Sequence, residues 1–272
     1  MIQTKTFIVD AFTDKAFRGN PAGVCMPEHR LSGELMLNIA QELGLSETAF
    51  IRSDGDDNRF GIRYFSPKME IALCGHATLS AARVVHASFG IRDAHFITGS
   101  GVDLAVEMSA DAISMVFPVY ETLPAEVPPA LLKALGIESI VNAAYNAETR
   151  ILLLEIADAQ ALADLAPDFL ALVDSHHSIN GVLVTAPSAT DRYDFHSRYF
   201  WPWSGTNEDP VTGGTHTFLA KYWAQRLGKT KMKSYQSSKR SGFMEVELRD
   251  GQLVIRSQAI VVLEGTMFLG ET

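Results

Sequence analysis

Arg63-Tyr64-Phe65-Ser66-Pro67 returns half a chain later as Arg198-Tyr199-Phe200-Trp201-Pro202, and each copy runs on through an acid to a glycine-bearing turn that opens a helix. The first continuation passes Glu70 to reach Cys74-Gly75-His76-Ala77-Thr78-Leu79. The second passes Glu208-Asp209 to reach Thr212-Gly213-Gly214-Thr215-His216. Two copies in 272 residues mean a duplicated domain rather than a solenoid, whose periods are roughly 20 to 50 residues. A duplicated fold offers the cleft between its halves as the place for a site.

Outward from the first copy, Thr6 to Phe12 reads as a strand and Arg18-Gly19-Asn20-Pro21-Ala22-Gly23 as a tight turn before Val24-Cys25-Met26. A helix is expected over Glu34 to Leu43, capped by Ser32 or Gly33 and stopped by Gly44, because Leu35, Ile39 and Leu43 recur at helical spacing. Phe60, Ile62 and Tyr64 alternate as in a strand, entered through a hairpin tip at Ser53 to Asn58. Ala77 to His86 reads as a buried helix, followed by strands up to Phe117. Pro118, Pro124, Pro128 and Pro129 then mark a boundary, giving halves 1–119 and 120–272, with the final strand free to pack back on the first half. The second half repeats the mixture: strands at Thr149 to Ile156, Gly181 to Thr185 and Asp194 to Phe200, a helix at Ala159 to Leu172 and another at Thr215 to Leu227, then closing strands from Phe243. The expected class is α+β, two units each with one principal helix among strands.

A 47% hydrophobic content supplies two sizeable cores. The net charge of -9, with no run of like charges, argues against a nucleic-acid or anionic-membrane partner. No apolar stretch reaches the 18 or so residues of a membrane span, and the opening MIQTKTFIVDAF lacks a signal-peptide pattern, so a cytoplasmic location is the expectation. Cys25 and Cys74 make no linear metal-ligand spacing with the eight histidines. With no GxSxG, HExxH, Walker A or GxGxxG motif, neither a metal nor another cofactor is expected.

The chemistry is read from the two helix-opening turns. Unpaired N–H groups and the helix dipole make such an end attractive to an anion, and Gly75, Gly213 and Gly214 let the backbone approach a ligand. Their other reading is tight strand-to-helix packing. His76 lies where a bound anion would sit, and Asp209 at the corresponding turn is either a helix-end acid or a partner for a substrate amine. Glu208 reads as structural. Glu47, in Ser46-Glu47-Thr48-Ala49-Phe50, leads into an apolar strand; taken alone it reads first as a solvated loop acid, and enclosed in a cleft it would be placed to take up and return a proton.

The ordered set Asp10-Ala11-Phe12, Gly19-Asn20-Pro21-Ala22-Gly23-Val24, Ser46-Glu47-Thr48-Ala49-Phe50, Arg63 to Pro67 with Cys74-Gly75-His76-Ala77-Thr78, and Glu208-Asp209-Pro210-Val211-Thr212-Gly213 resembles the PhzF-like family of phenazine-biosynthesis isomerases over nearly the whole chain. The resemblance implies a diaminopimelate-epimerase-like fold: two pseudo-symmetric halves, each a strongly curved, mostly antiparallel, barrel-like sheet around a central helix, assembled as a homodimer. It implies that Glu47 carries the proton while His76 and Asp209 position a small carboxylate substrate, with Asn20, Gly75, Gly213, Gly214 and Thr215 also in the binding site. Gly214 stands where the family commonly has serine, which leaves open whether Thr215 or a water replaces that hydroxyl or the substrate differs. Related epimerases use two opposed cysteines, and the resemblance implies that here Cys74 occupies the first such position and Thr212 the second, so a two-thiol mechanism is unavailable. A mixed pair of Cys74 and an acid, and a binding module without catalysis, stand as the alternatives.

Overall fold

In the computed structural model, which describes residues 2–53, 55 and 58–270, both copies of the pentapeptide close a strand and lead into a helix. The first unit is Met1–Val116 with Ile255–Thr272. It opens with β1 (Ile2–Ala11) and β2 (Asn20–Pro27), followed by α1 (Gly33–Leu43), β3 (Thr48–Ser53) and β4 (Arg59–Phe65). Then come β5 (Glu70–Ile71), α2 (Gly75–Phe89), β6 (Asp93–Thr98), β7 (Asp103–Ser109) and β8 (Ala112–Pro118). The second unit is Phe117–Val254. Its elements are β9 (Leu123–Pro124), α3 (Pro129–Leu135), β10 (Asn142–Asn146), β11 (Ile151–Glu155), α4 (Ala159–Asp164) and α5 (Phe169–Asp174). They continue through β12 (Gly181–Pro187), β13 (Phe195–Phe200), β14 (Glu208–Asp209), α6 (His216–Leu227), β15 (Lys231–Gln236), β16 (Gly242–Arg249) and the start of β17 (Gln252–Ser257), and the division falls within two strands, β8 after Val116 and β17 after Val254. β18 (Ala259–Leu269) belongs to the first unit, where it lies antiparallel to β1.

The wiring is the same in both units. β4 is antiparallel to β3 and β5 and parallel to β6. β13 is antiparallel to β12 and β14 and parallel to β15. Each parallel contact is reached through a helix, as a parallel pair requires. α2 is buried nearly all round, from Ala77 to Val85, and packs against β1, β2, β3, β6, β7 and β18. A helix buried on nearly every side is an enclosed one, and α2 is the element around which these strands pack. α6 is equally buried from His216 to Trp223, and Trp223 stacks on Phe195 at 5.4 Å. The architecture is α+β, as the residues led us to expect.

The repeated motif has a structural meaning of its own. Arg63 Nε and Nη2 donate to the two carboxylate oxygens of Glu70 at 2.7 Å each, and Arg198 Nε and Nη2 donate to those of Glu208 at 2.7 and 2.9 Å. In both copies the arginine also sits over the phenylalanine two residues on, Phe65 at 5.1 Å and Phe200 at 4.9 Å. The pentapeptide is thus a clamp that folds a short strand back against the motif strand before the helix begins.

Three local expectations change. The helix read over Ala159 to Leu172 is two, α4 and α5, because Pro167 cannot continue a helix and Asp168 restarts one by accepting the Ala171 N–H. The proline run read as a boundary contains α3, with Pro129 at its first position, where a missing N–H costs nothing. β10 and β15 went unread. The tip at Ser53 to Asn58 joins β3 and β4, though Asp54, Asp56 and Asp57 lie outside the described residues.

Candidate functional site

Glu47 is placed by the turn between α1 and β3. Gly44 ends α1 in the left-handed region at φ 62, its N–H bonded to Ala40 O, and three residues later Glu47 O accepts the Gly23 N–H at 3.0 Å. Gly23 has to be glycine: a Cβ there would lie 2.7 Å from Thr48 Oγ1. That close approach fastens the residue before β3 to β2 and leaves the Glu47 side chain half-buried.

His76 lies in the first turn of α2. Its Nε2 is 3.2 Å from Glu47 Oε2, and its Nδ1 is 3.3 Å from Cys74 Sγ. The contact with Glu47 is close but not aligned as a hydrogen bond, and Nε2 has no hydrogen-bond partner among the described residues. Burial holds the imidazole pKa below its ordinary value, and the pull of Glu47 in the other direction is the smaller effect. The ring is therefore neutral near pH 7. A carboxylate facing Nε2 favours the tautomer with its proton there, which leaves Nδ1 to accept from the Cys74 thiol. Cys74 caps α2 only with its backbone, as does Thr215 for α6, whereas Ser32, Asp158 and Asp168 cap α1, α4 and α5 with their side chains. The start of α2 is thus not capped by its own side chain, and a helix end of this kind suits an anion. Thr78 Oγ1, itself 2.5 Å from Tyr64 O–H, donates to Cys74 O and holds this turn in place. Asn20 is buried at the start of β2, opposite Ala11.

In the second unit Asp209 is half-buried in β14 and accepts a hydrogen bond from Thr212 Oγ1. Gln236 completes the clamp: its Oε1 accepts the Thr212 N–H at 2.9 Å and its Nε2 donates to Asp209 O at 2.7 Å. Gln236 is fully buried in β15 and was missed in the sequence, where no pattern marks it. Thr215 is also buried, and its hydroxyl donates to Thr212 O across the turn. Gly213 is buried, while Gly214 is exposed and a Cβ there would meet nothing within 4 Å. His216 follows, donating from Nδ1 to Thr212 O at 3.0 Å and accepting from Ser234 O–H at 2.8 Å.

Glu47, Cys74 and His76 bring ligand-capable atoms within 4.8 Å of one another, a grouping invisible in the linear spacing of cysteines and histidines. Cys74 lies beside one ring nitrogen and Glu47 beside the other. The two ring nitrogens point in divergent directions, and a neutral imidazole carries a proton on one and a lone pair on the other. The order thiol, imidazole, carboxylate suits the relay of a proton better than chelation.

Comparison with known proteins agrees with the resemblance. The family model of phenazine biosynthesis-like proteins (PhzC-PhzF) matches residues 9–266. A Pseudomonas aeruginosa protein named as an uncharacterized isomerase is 44% identical over 268 residues, covering 97% of this chain and 98% of its own. The crystal structure of a PhzF-family phenazine biosynthesis protein from Enterococcus faecalis superposes with a TM-score of 0.89 at 37% identity, over 98% of this chain and 100% of that one. A hydroxyproline epimerase from Agrobacterium vitis shares the fold alone, with a TM-score of 0.55 at 11% identity over 98% of this chain and 93% of that one.

Proposed function

Because the chain belongs to the phenazine biosynthesis-like (PhzC-PhzF) family, we propose that it is a cofactor-independent isomerase that moves a proton on a small amino- or hydroxy-acid-like metabolite, with Glu47 as the group that takes the proton and returns it. The observation that carries the reading is Glu47 Oε2 at 3.2 Å from His76 Nε2, in the first turn of a helix with no side-chain cap. The Glu47 carboxylate removes a proton from a carbon beside the substrate's carboxyl or conjugated system. The negative charge left on substrate oxygen is met by N–H groups at the start of α2 and by His76 Nε2–H, and Glu47 then delivers the same proton to another carbon. Asp209, held by Thr212 and Gln236, has the charge and fixity to bind a substrate amine. A homodimer belongs to the same reading and is read by light scattering.

A thermal-shift screen of amino and hydroxy acids, followed by mass spectrometry in deuterium oxide, finds the substrate and counts the exchanged protons. Glu47→Gln is expected to abolish deuterium incorporation while leaving the ligand-induced shift largely intact; undiminished exchange sinks the assignment. The 3.3 Å contact of Cys74 with His76 favours one rival, an epimerisation by Cys74 and an acid. Cys74→Ala separates the two: activity within about tenfold of wild type supports the carboxylate as proton carrier, since one neutral hydrogen bond is worth roughly 1 kcal/mol, and complete loss supports the thiol.

A further inference from the structure

The face of the first unit's sheet that α1 covers continues past the start of that helix, and there it holds a cavity of about 310 Å³. Phe50 on β3, Gly61 on β4 and Ile97 on β6 line it across three paired strands, with Leu31 and Met36 from the entry to α1. Arg30, Arg52, Arg63 and His29 line it too, and no acid does among the described residues. In a chain with 32 Asp and Glu against 23 Lys and Arg, three arginines and no acid around one cavity is a marked departure from its average. Arg63 is held by its two bonds to Glu70, while Arg30 and Arg52 have no ion-pair partner among the described residues.

Gly61 is the second, independent observation. A glycine inside a strand weakens it by roughly 0.5–1 kcal/mol relative to alanine and marks a bulge or the close approach of something else. Here the β3–β4 register is unbroken at Arg52↔Gly61, and the backbone of Gly61 is not in the left-handed region. A Cβ would meet only Arg52 O, at 3.9 Å. Neither conformation nor neighbours demand glycine, and what its absent side chain provides is open floor in a cavity that Arg52 and Arg63 also line.

We propose that this cavity is a second ligand site, separate from Glu47 and His76, for a small organic anion: a carboxylate, sulfonate or phosphate carried on a flat apolar body. The arginines take the charge, with Arg63 fixed in advance by Glu70, and Phe50, Leu31 and Met36 take the body. Neither inorganic phosphate nor an uncharged aromatic satisfies both halves of the cavity.

The test is calorimetric titration with 1-naphthalenesulfonate, alongside naphthalene-1-methanol and inorganic phosphate. The sulfonate is expected to bind with one equivalent that weakens at least tenfold in Arg30→Gln/Arg52→Gln and vanishes in Gly61→Val, and to bind Glu47→Gln as it binds wild type. The two controls are expected to bind at least tenfold more weakly. Gly61→Val is expected to melt no lower than wild type, since valine suits a strand; if it does not fold, the double arginine variant, changed only at exposed side chains, decides alone. Sulfonate binding untouched by the arginine changes overturns the proposal, as does phosphate binding equally well. So does a loss of self-association in Arg30→Gln/Arg52→Gln with sulfonate binding unchanged, which assigns the arginines to a protein interface.

Discussion

The same arginine in two copies of one motif is expected to have very different worth. Arg63 and Glu70 are 32% and 44% exposed, whereas Arg198 and Glu208 are 9% and 18% exposed. Arg198 Nη1 also donates to Leu162 O, Ala163 O and Leu165 O, the carbonyls that end α4. Arg198→Met removes the cation and leaves an enclosed Glu208 carboxylate and those carbonyls without their donor. Breaking a buried pair costs about 3–5 kcal/mol, while Arg63→Met, at a solvent-screened pair, costs about 0–1 kcal/mol. Urea unfolding measures both. Trp201, Trp203 and Trp223 all lie in the second unit, so tryptophan fluorescence follows the unit that holds Arg198, and circular dichroism follows the whole chain. Equal stability losses for the two variants would refute the reasoning, as would a double-mutant cycle of Arg198 with Glu208 showing coupling under about 0.5 kcal/mol.

Two further outcomes are expected. His216 is fully buried, and burial lowers its pKa to about 4 from an ordinary 6.5. Its contribution to stability is complete above pH 6.5 and is lost as the pH falls through 6.5 toward 4, on the order of 3 kcal/mol at about 1.4 kcal/mol per unit. His76, also lowered, acts in the same direction; His216→Gln is expected to flatten the melting temperature between pH 7 and 4, and an unchanged slope counts against the assignment. Gly214→Ser introduces a hydroxyl into open space, so the melting temperature is expected to hold within a few degrees while affinity for the carboxylate substrate rises by up to about tenfold, one net hydrogen bond; a steep fall in stability contradicts the open geometry.

The duplication, α1 with its Ser32 and Gly44 ends, and both helix-opening turns were legible because each rests on local rules of capping, periodicity and turn chemistry. β15 was not, because its inward residues are Met232, Ser234 and Gln236, and two polar side chains out of three erase the apolar alternation. Those two face inward to serve His216 and the Asp209–Thr212 turn, so the feature that hid the strand is the one that builds the site. Glu47 could be picked out as an acid at the head of an apolar strand. Its closeness to His76 could not, since that contact depends on the fastening of Gly23 to Glu47 O. The motif arginines were visible as a repeat, but their pairing with Glu70 and Glu208 emerges only when β5 and β14 fold back.

The return of β18 to the first unit bears on the order in which the protein is built. β1 emerges from the ribosome well ahead of the strand along its other side, from Gly265 opposite Thr6 to Leu269 opposite Ile2, with the whole second unit made in between. At about 5–20 residues per second, the wait is roughly 10–50 s. Throughout it one flank of β1 offers open N–H and C=O groups, the kind of edge that pairs with a neighbouring chain. The half synthesised first is finished last, and the second unit has time to close before its predecessor does.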